Sequence, residues 1–114
     1  MPTIESKTVT AENKAGGKGK IFITHLLPAN YPNDSCQMFA SVVIPVGASI
    51  GNHTHNGNTE TYHILSGKAI YTDNGKTYEV KAGDTTFCAD GESHGIEAVG
   101  DEDLNFIALI IKSK

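Results

Sequence analysis

The sequence predicts an all-β fold, a sandwich or a barrel. Three observations carry that expectation. Apolar and β-branched residues fall in short runs, proline or glycine closes most of them, and no long segment repeats apolar residues at helical spacing. Chains of this pattern pack sheets face to face or close them on themselves. Twelve glycines in 114 residues supply the tight connections such a fold needs.

The elements follow in order. Residues 11–20 (AENKAGGKGK) read as an exposed, lysine- and glycine-rich loop. A phosphate-binding loop needs Ser or Thr after its Gly-Lys, whereas Gly19-Lys20 is followed by Ile21, so a solvated turn is expected. Residues 21–27 form a strand stopped by Pro28, and 37–44 (QMFASVVI) a second one stopped by Pro45. Strands at 59–65 and 68–72 flank Gly67. Asp73-Asn74-Gly75 signals a hairpin into a strand at 77–80. Residues 85–88 and 95–99 continue the series, and 104–111 (LNFIALII) close it, as an internal strand or as a subunit contact.

Composition narrows the function. A net charge of −4 and a pI near 5.6 argue against nucleic acid as a partner. No apolar run approaches membrane-spanning length. The N-terminal residues (MPTIESKTVTAENK) hold no apolar signal core, which predicts a cytoplasmic protein. The sequons at Asn33 and Asn52 are then chance matches, and Cys36 and Cys88 reduced thiols that serve as small apolar residues. All nine basic residues are lysine, with no arginine.

Three of the five histidines stand within GNHTHNGNTETYHILSG. In extended backbone, His53 and His55 project to the same side and can converge on one ion. A return through Asn56-Gly57-Asn58 brings Glu60 beside them. Nitrogen and oxygen donors of this kind suit divalent first-row metals. His94, after the turn at Asp90-Gly91, reaches the same cavity if its strand packs alongside. His63 has the opposite strand parity to Glu60 and is excluded as a ligand. Tyr62 shares the parity of Glu60, which makes it an inward candidate near the metal, with core packing as the alternative. His25 alternates with Ile21 and Ile23 and could face either way.

Gly47, His53, His55, Glu60 and Gly67 reproduce the spacing of the first cupin motif at every required position, over residues 47–67. Gly83, Gly91 and His94 match the second motif over 83–98, with Ala89 and Ala98 where proline and asparagine are usual. The chain thus resembles the small single-domain cupins. The resemblance implies one domain over residues 1–114, a jelly-roll β-barrel of two antiparallel sheets. It implies one divalent metal (iron, manganese, nickel, zinc, cobalt or copper) on His53, His55, Glu60 and His94. It also implies a homodimer formed through terminal strands.

Four protein ligands on an ion that accepts six leave about two positions open, which favours chemistry over a structural role. The expected function is a metal-dependent isomerase, lyase or dioxygenase acting on a small oxygen-rich molecule that chelates the metal. Glu60 and Tyr62 are the candidates for moving protons. The alternative is a non-catalytic cupin that binds or senses a sugar-like small molecule. Without arginine to grip carboxylates, oxalate decarboxylation and thiol oxidation rank low, and Lys20, Lys68 and Lys81 have no assignable place. Met38, Phe39, Phe87 and Phe106 are candidate apolar walls, with plain core packing as the favoured alternative for each.

Overall fold

The computed structural model describes residues 3–28, 30–31 and 33–113. The strands are β1 (Lys7–Glu12), β2 (Lys20–His25), β3 (Cys36–Ile44), β4 (Ser49–Thr54), β5 (Asn58–Ser66), β6 (Lys68–Asp73), β7 (Lys76–Lys81), β8 (Thr85–Cys88), β9 (Ser93–Val99) and β10 (Leu104–Lys112). One short 3-10 turn, Lys14–Gly16, interrupts them. A six-stranded sheet runs β1-β2-β3-β10-β5-β8 and a four-stranded sheet β4-β9-β6-β7, with every pairing antiparallel. The all-β expectation holds.

Alternation places the core. From the larger sheet, Ala40, Val42 and Ile44 of β3, Tyr62 and Ile64 of β5, and Leu104, Phe106 and Ala108 of β10 are buried. From the smaller sheet, Ile50, Ala69, Tyr71, Val80, Ile96 and Ala98 join the same cluster. Each large side chain so buried contributes roughly 1.5–3 kcal/mol. The sheets therefore face each other across one apolar interior, and β4, β5 and β9 bring the motif residues to it.

Local chemistry sets the joints. Asn74 and Gly75 both take left-handed backbone (φ 49 and 86), the two-residue turn that joins Asp73 to Lys76 across β6 and β7. Gly67 has φ +88, and a Cβ there would stand 2.6 Å from the Asp103 carbonyl oxygen. The β5–β6 connection accepts glycine on both grounds.

One expectation changes, and one of two open alternatives is met. Residues 11–20 are not one loop, because β1 and β2 extend into it and pair from Glu12↔Lys20 onward. β1 is almost wholly exposed, so burial never wrote a period-2 pattern into its sequence. The 104–111 strand is internal, lying between β3 and β5. Cys36 and Cys88 are free thiols. Among the described residues no helix is long and apolar enough to cross a membrane.

Candidate metal centre

His53, His55, Glu60 and His94 converge, with one ligand atom from each lying within 4.8 Å of all the others. Pairing builds the cluster. His53 sits opposite His94 in the β4–β9 ladder, and His55 follows β4, with its backbone tied to Glu92 and Gly91. Glu60 comes from β5 of the other sheet, opposite Ile110 and Cys88. The site thus lies between the two sheets. Burial is graded: His94 is fully enclosed, Glu60 and His55 nearly so, and the His53 side chain keeps 27% of its surface exposed.

The donor geometry fits a single ion. His55 Nε2 and His94 Nε2 lie 3.1 Å apart, and each is 3.0 Å from Glu60 Oε1. Ligands at about 2.1 Å from a metal and at right angles to one another stand about 3 Å apart. His53 Nε2 completes the set at 3.7 Å from the same oxygen.

The tautomers point the same way. His53 Nδ1–H donates to the Gly51 carbonyl at 2.8 Å, and His55 Nδ1–H donates to Asn58 Oδ1 at 2.7 Å. In the neutral rings both Nε2 atoms are then lone pairs aimed at a carboxylate. Acceptors crowded in a dry interior repel unless a cation or protons sit among them. The set of partners that fixes each ring is the arrangement metal-binding histidines use.

Electrostatics agree. Burial by itself would raise the Glu60 carboxyl, but His53 and His94 beside it hold it down, to about 2. The carboxylate next to His53 raises that imidazole. Burial lowers His94, against the pull of Glu60. The opposite signs at the two rings follow from their exposure: His94 has no water, whereas His53 stands at the cavity mouth.

The cavity beside the quartet has a volume of about 400 Å³. Ile23, Met38, Val42, Ile50, Phe106, Ala108 and Ile110 make its apolar walls, and Tyr62 lines it next to Glu60. Tyr62 is buried and stacks on His94 with centroids 4.9 Å apart. Burial first, then the Glu60 charge, push its phenol well above the usual range, so it remains a donor. Phe39 and Phe87 are not walls; both lie exposed, on the outside of the larger sheet. His63 is exposed too, hydrogen-bonded to Thr85, as its parity required. His25 keeps the inward parity but does not line the cavity.

Three residues escaped the sequence reading. Tyr71 of β6 is buried, and its hydroxyl is hydrogen-bonded to His94 Nδ1 at 2.8 Å. Thr86 faces that phenol, and its Oγ1 is the buried side-chain oxygen that lacks a partner among the described residues. The inward parity of β6 could have found Tyr71. Lys14, on the 3-10 turn, lines the cavity mouth, and nothing in its polar surroundings marked it.

This chain belongs to the cupin family. The cupin domain model Cupin_2 matches residues 40–110, which span both motifs and all four ligand positions. The chain is 42% identical over 111 residues to an oxalate-binding protein of Thermotoga maritima, covering 95% of this chain and 92% of that one. It superposes on the crystal structure of a predicted oxalate decarboxylase from the same organism with a TM-score of 0.89 and 40% identity, covering 97% and 96% of the two chains. KdgF from Halomonas sp. shares the fold at TM-score 0.72 and 17% identity, over 93% and 89%.

Proposed function

We propose that this protein binds oxalate, or a small dicarboxylate much like it, at a metal held by His53, His55, Glu60 and His94. The observation that carries this reading is the 42% identity, across 95% of the chain, to a protein named for binding oxalate. A divalent ion on this quartet supplies positive charge and about two open positions that a pair of carboxylate oxygens can fill. A ligand held through its own oxygens has less need of arginine, which weakens the ground for ranking oxalate decarboxylation low. The cavity volume, about 400 Å³, lies in the range of small-molecule sites.

Calorimetric titration of manganese- or cobalt-loaded protein with oxalate tests the proposal. Saturable one-to-one binding is expected, absent from His53→Ala together with the metal. Loaded protein that gives no heat with oxalate refutes it.

A second reading adds turnover, as a lyase, isomerase or dioxygenase. Tyr62 and Glu60 favour it, since both line the cavity beside the quartet. Tyr62 is protonated and able to donate a hydrogen bond to developing charge, whereas Glu60, held ionised by its histidines, would accept a proton only if a bound ligand displaced them. Formate and carbon dioxide release from oxalate, measured with dioxygen uptake, separates turnover from binding alone.

We further propose a homodimer in a reducing, cytoplasmic setting, consistent with two free thiols. Support for pairing comes from the outer face of the larger sheet. Phe39, Leu109, Thr61 and Phe87 form one row across β3, β10, β5 and β8, and Ser41, Ile107, His63 and Thr85 form the next. His63 is the single ionisable group in these two rows, and Phe39 and Phe87 are 38% and 58% exposed. Exposed aromatic side chains grouped on one uncharged sheet face favour association.

A further inference from the structure

We propose that Lys14 is the second point of attachment for the ligand, so that the site selects a doubly charged anion over a neutral chelator of the same shape. The proposal rests on the dicarboxylate reading above and adds the residue that recognises the charge.

Among the described residues, Lys14 is the only lysine that lines the cavity. It is exposed at the mouth, and His53, the least buried of the quartet, lines the same cavity. The remaining polar lining is His53, His55, Glu60 and Tyr62.

The turn that carries Lys14 is docked rather than loose. Lys18 N–H donates to Ser49 Oγ at 2.9 Å, and Ser49 N–H donates to the Lys18 carbonyl at 2.9 Å. The backbones meet so closely that a Cβ on Gly17 would collide with the Ser49 carbonyl oxygen, and a Cβ on Gly51 with the Ala15 carbonyl oxygen. Gly51 is also the residue whose carbonyl orients His53. One glycine therefore seats the Lys14 turn on one side and the metal-site imidazole on the other.

Charge balance gives the turn its purpose. A metal-ligating Glu60 counts as one negative charge. A divalent ion leaves the site at plus one, and oxalate takes it to minus one. The ammonium of Lys14 restores neutrality at the edge of an apolar cavity, where an uncompensated charge is costly. Arginine is absent from the chain, and Lys14 does the work of a point charge in its place.

The test is calorimetry on metal-loaded wild type, Lys14→Met and Lys14→Arg, with oxalate, oxamate and oxamide as a series of equal shape and falling charge. Metal content is measured in parallel. Lys14→Met is expected to keep its metal, lose about tenfold in oxalate affinity, the scale of one hydrogen bond to a charged group, lose less for oxamate, and leave oxamide unchanged. Lys14→Arg is expected to keep most of the oxalate affinity. Unchanged oxalate affinity in Lys14→Met overturns the role of Lys14 and leaves the ligand class standing. An equal loss for oxalate and oxamide overturns it too, because the lost contact is then packing and not charge. Wild type that binds none of the series overturns the ligand class, and the role of Lys14 falls with it.

Discussion

Replacing Tyr71 with phenylalanine removes one oxygen atom and tests how the metal centre is held. His94 is fully buried. Its Nδ1 meets the Tyr71 hydroxyl at 2.8 Å, while its Nε2 faces Glu60 at 3.0 Å. The phenol therefore fixes which way the ring points. Phenylalanine keeps the edge-on packing against His94, with centroids 5.6 Å apart, so almost no volume is lost. What is lost is the partner of a ring nitrogen with no access to water, a cost of about 1–3 kcal/mol. In a domain of this size that corresponds to a fall of roughly 4–13 °C in Tm for the metal-free protein. Losing the outer partner of a ligating imidazole lowers metal affinity by about 10–100-fold. Chelator competition on cobalt- or zinc-loaded protein reads the second number, and thermal unfolding without metal reads the first. A variant that binds metal like wild type, at any Tm, refutes the claim that Tyr71 orients His94. A lowered Tm with unchanged affinity would leave the Tyr71–His94 hydrogen bond as a contribution to the fold alone.

Two further predictions follow from the charges and the faces. In the metal-free protein the Glu60 carboxyl titrates at about 2 in place of 4.5. The fold thus favours the ionised form, and its contribution is complete above pH 4.5 and fades as pH falls through about 2. A difference of this size corresponds to on the order of 3 kcal/mol, and Glu60→Gln should flatten denaturant-derived stability across that window. His94, lowered by burial, weakens the fold as pH drops below 6.5, whereas His53, raised by Glu60, acts with the opposite sign. A variant with the same acid slope as wild type would contradict the Glu60 assignment. On the outer sheet, Phe87→Glu should convert a dimer to monomer in light scattering after gel filtration. A monomeric wild type, or a variant that remains dimeric, rules out that face.

The sequence made the site more legible than the ligand. Histidine spacing and strand parity were enough to bring His53, His55 and Glu60 together and to keep His63 out, because side-chain direction in a strand is decided by counting. His94 needed the resemblance, since only the pairing of β9 with β4 places it opposite His53. β1 was missed because an edge strand with one face open and little buried carries no apolar rhythm. Phe39 and Phe87 were misjudged as possible walls for a related reason. Both lie on the outward parity of strands whose inward residues are Ala40, Val42 and Cys88, and aromatic character says nothing about which face is buried. Tyr71 was readable from the parity of β6, but its partner was not, since the Tyr71–His94 contact crosses between strands far apart in sequence.

The missing arginine shows where composition stops short. A count can say that no guanidinium exists, but it cannot say which lysine stands nearest the chemistry. Lys14 sits in a stretch that looks like solvent-exposed turn and is one, and its position matters only because Gly17 and Gly51 let two backbones touch. That contact also explains the asymmetry of the metal centre. His55, Glu60 and His94 are sealed within the sheets, whereas His53 keeps an open side on the wall that the Lys14 turn completes. An incoming ligand meets the lysine and the exposed imidazole before it reaches the buried carboxylate. Selection by charge at the mouth and chelation further in are then two separate stages, carried by different elements of the chain. They can be separated by mutation because the mouth residue is not a metal ligand, and the ligands do not depend on the mouth residue for their place in the fold.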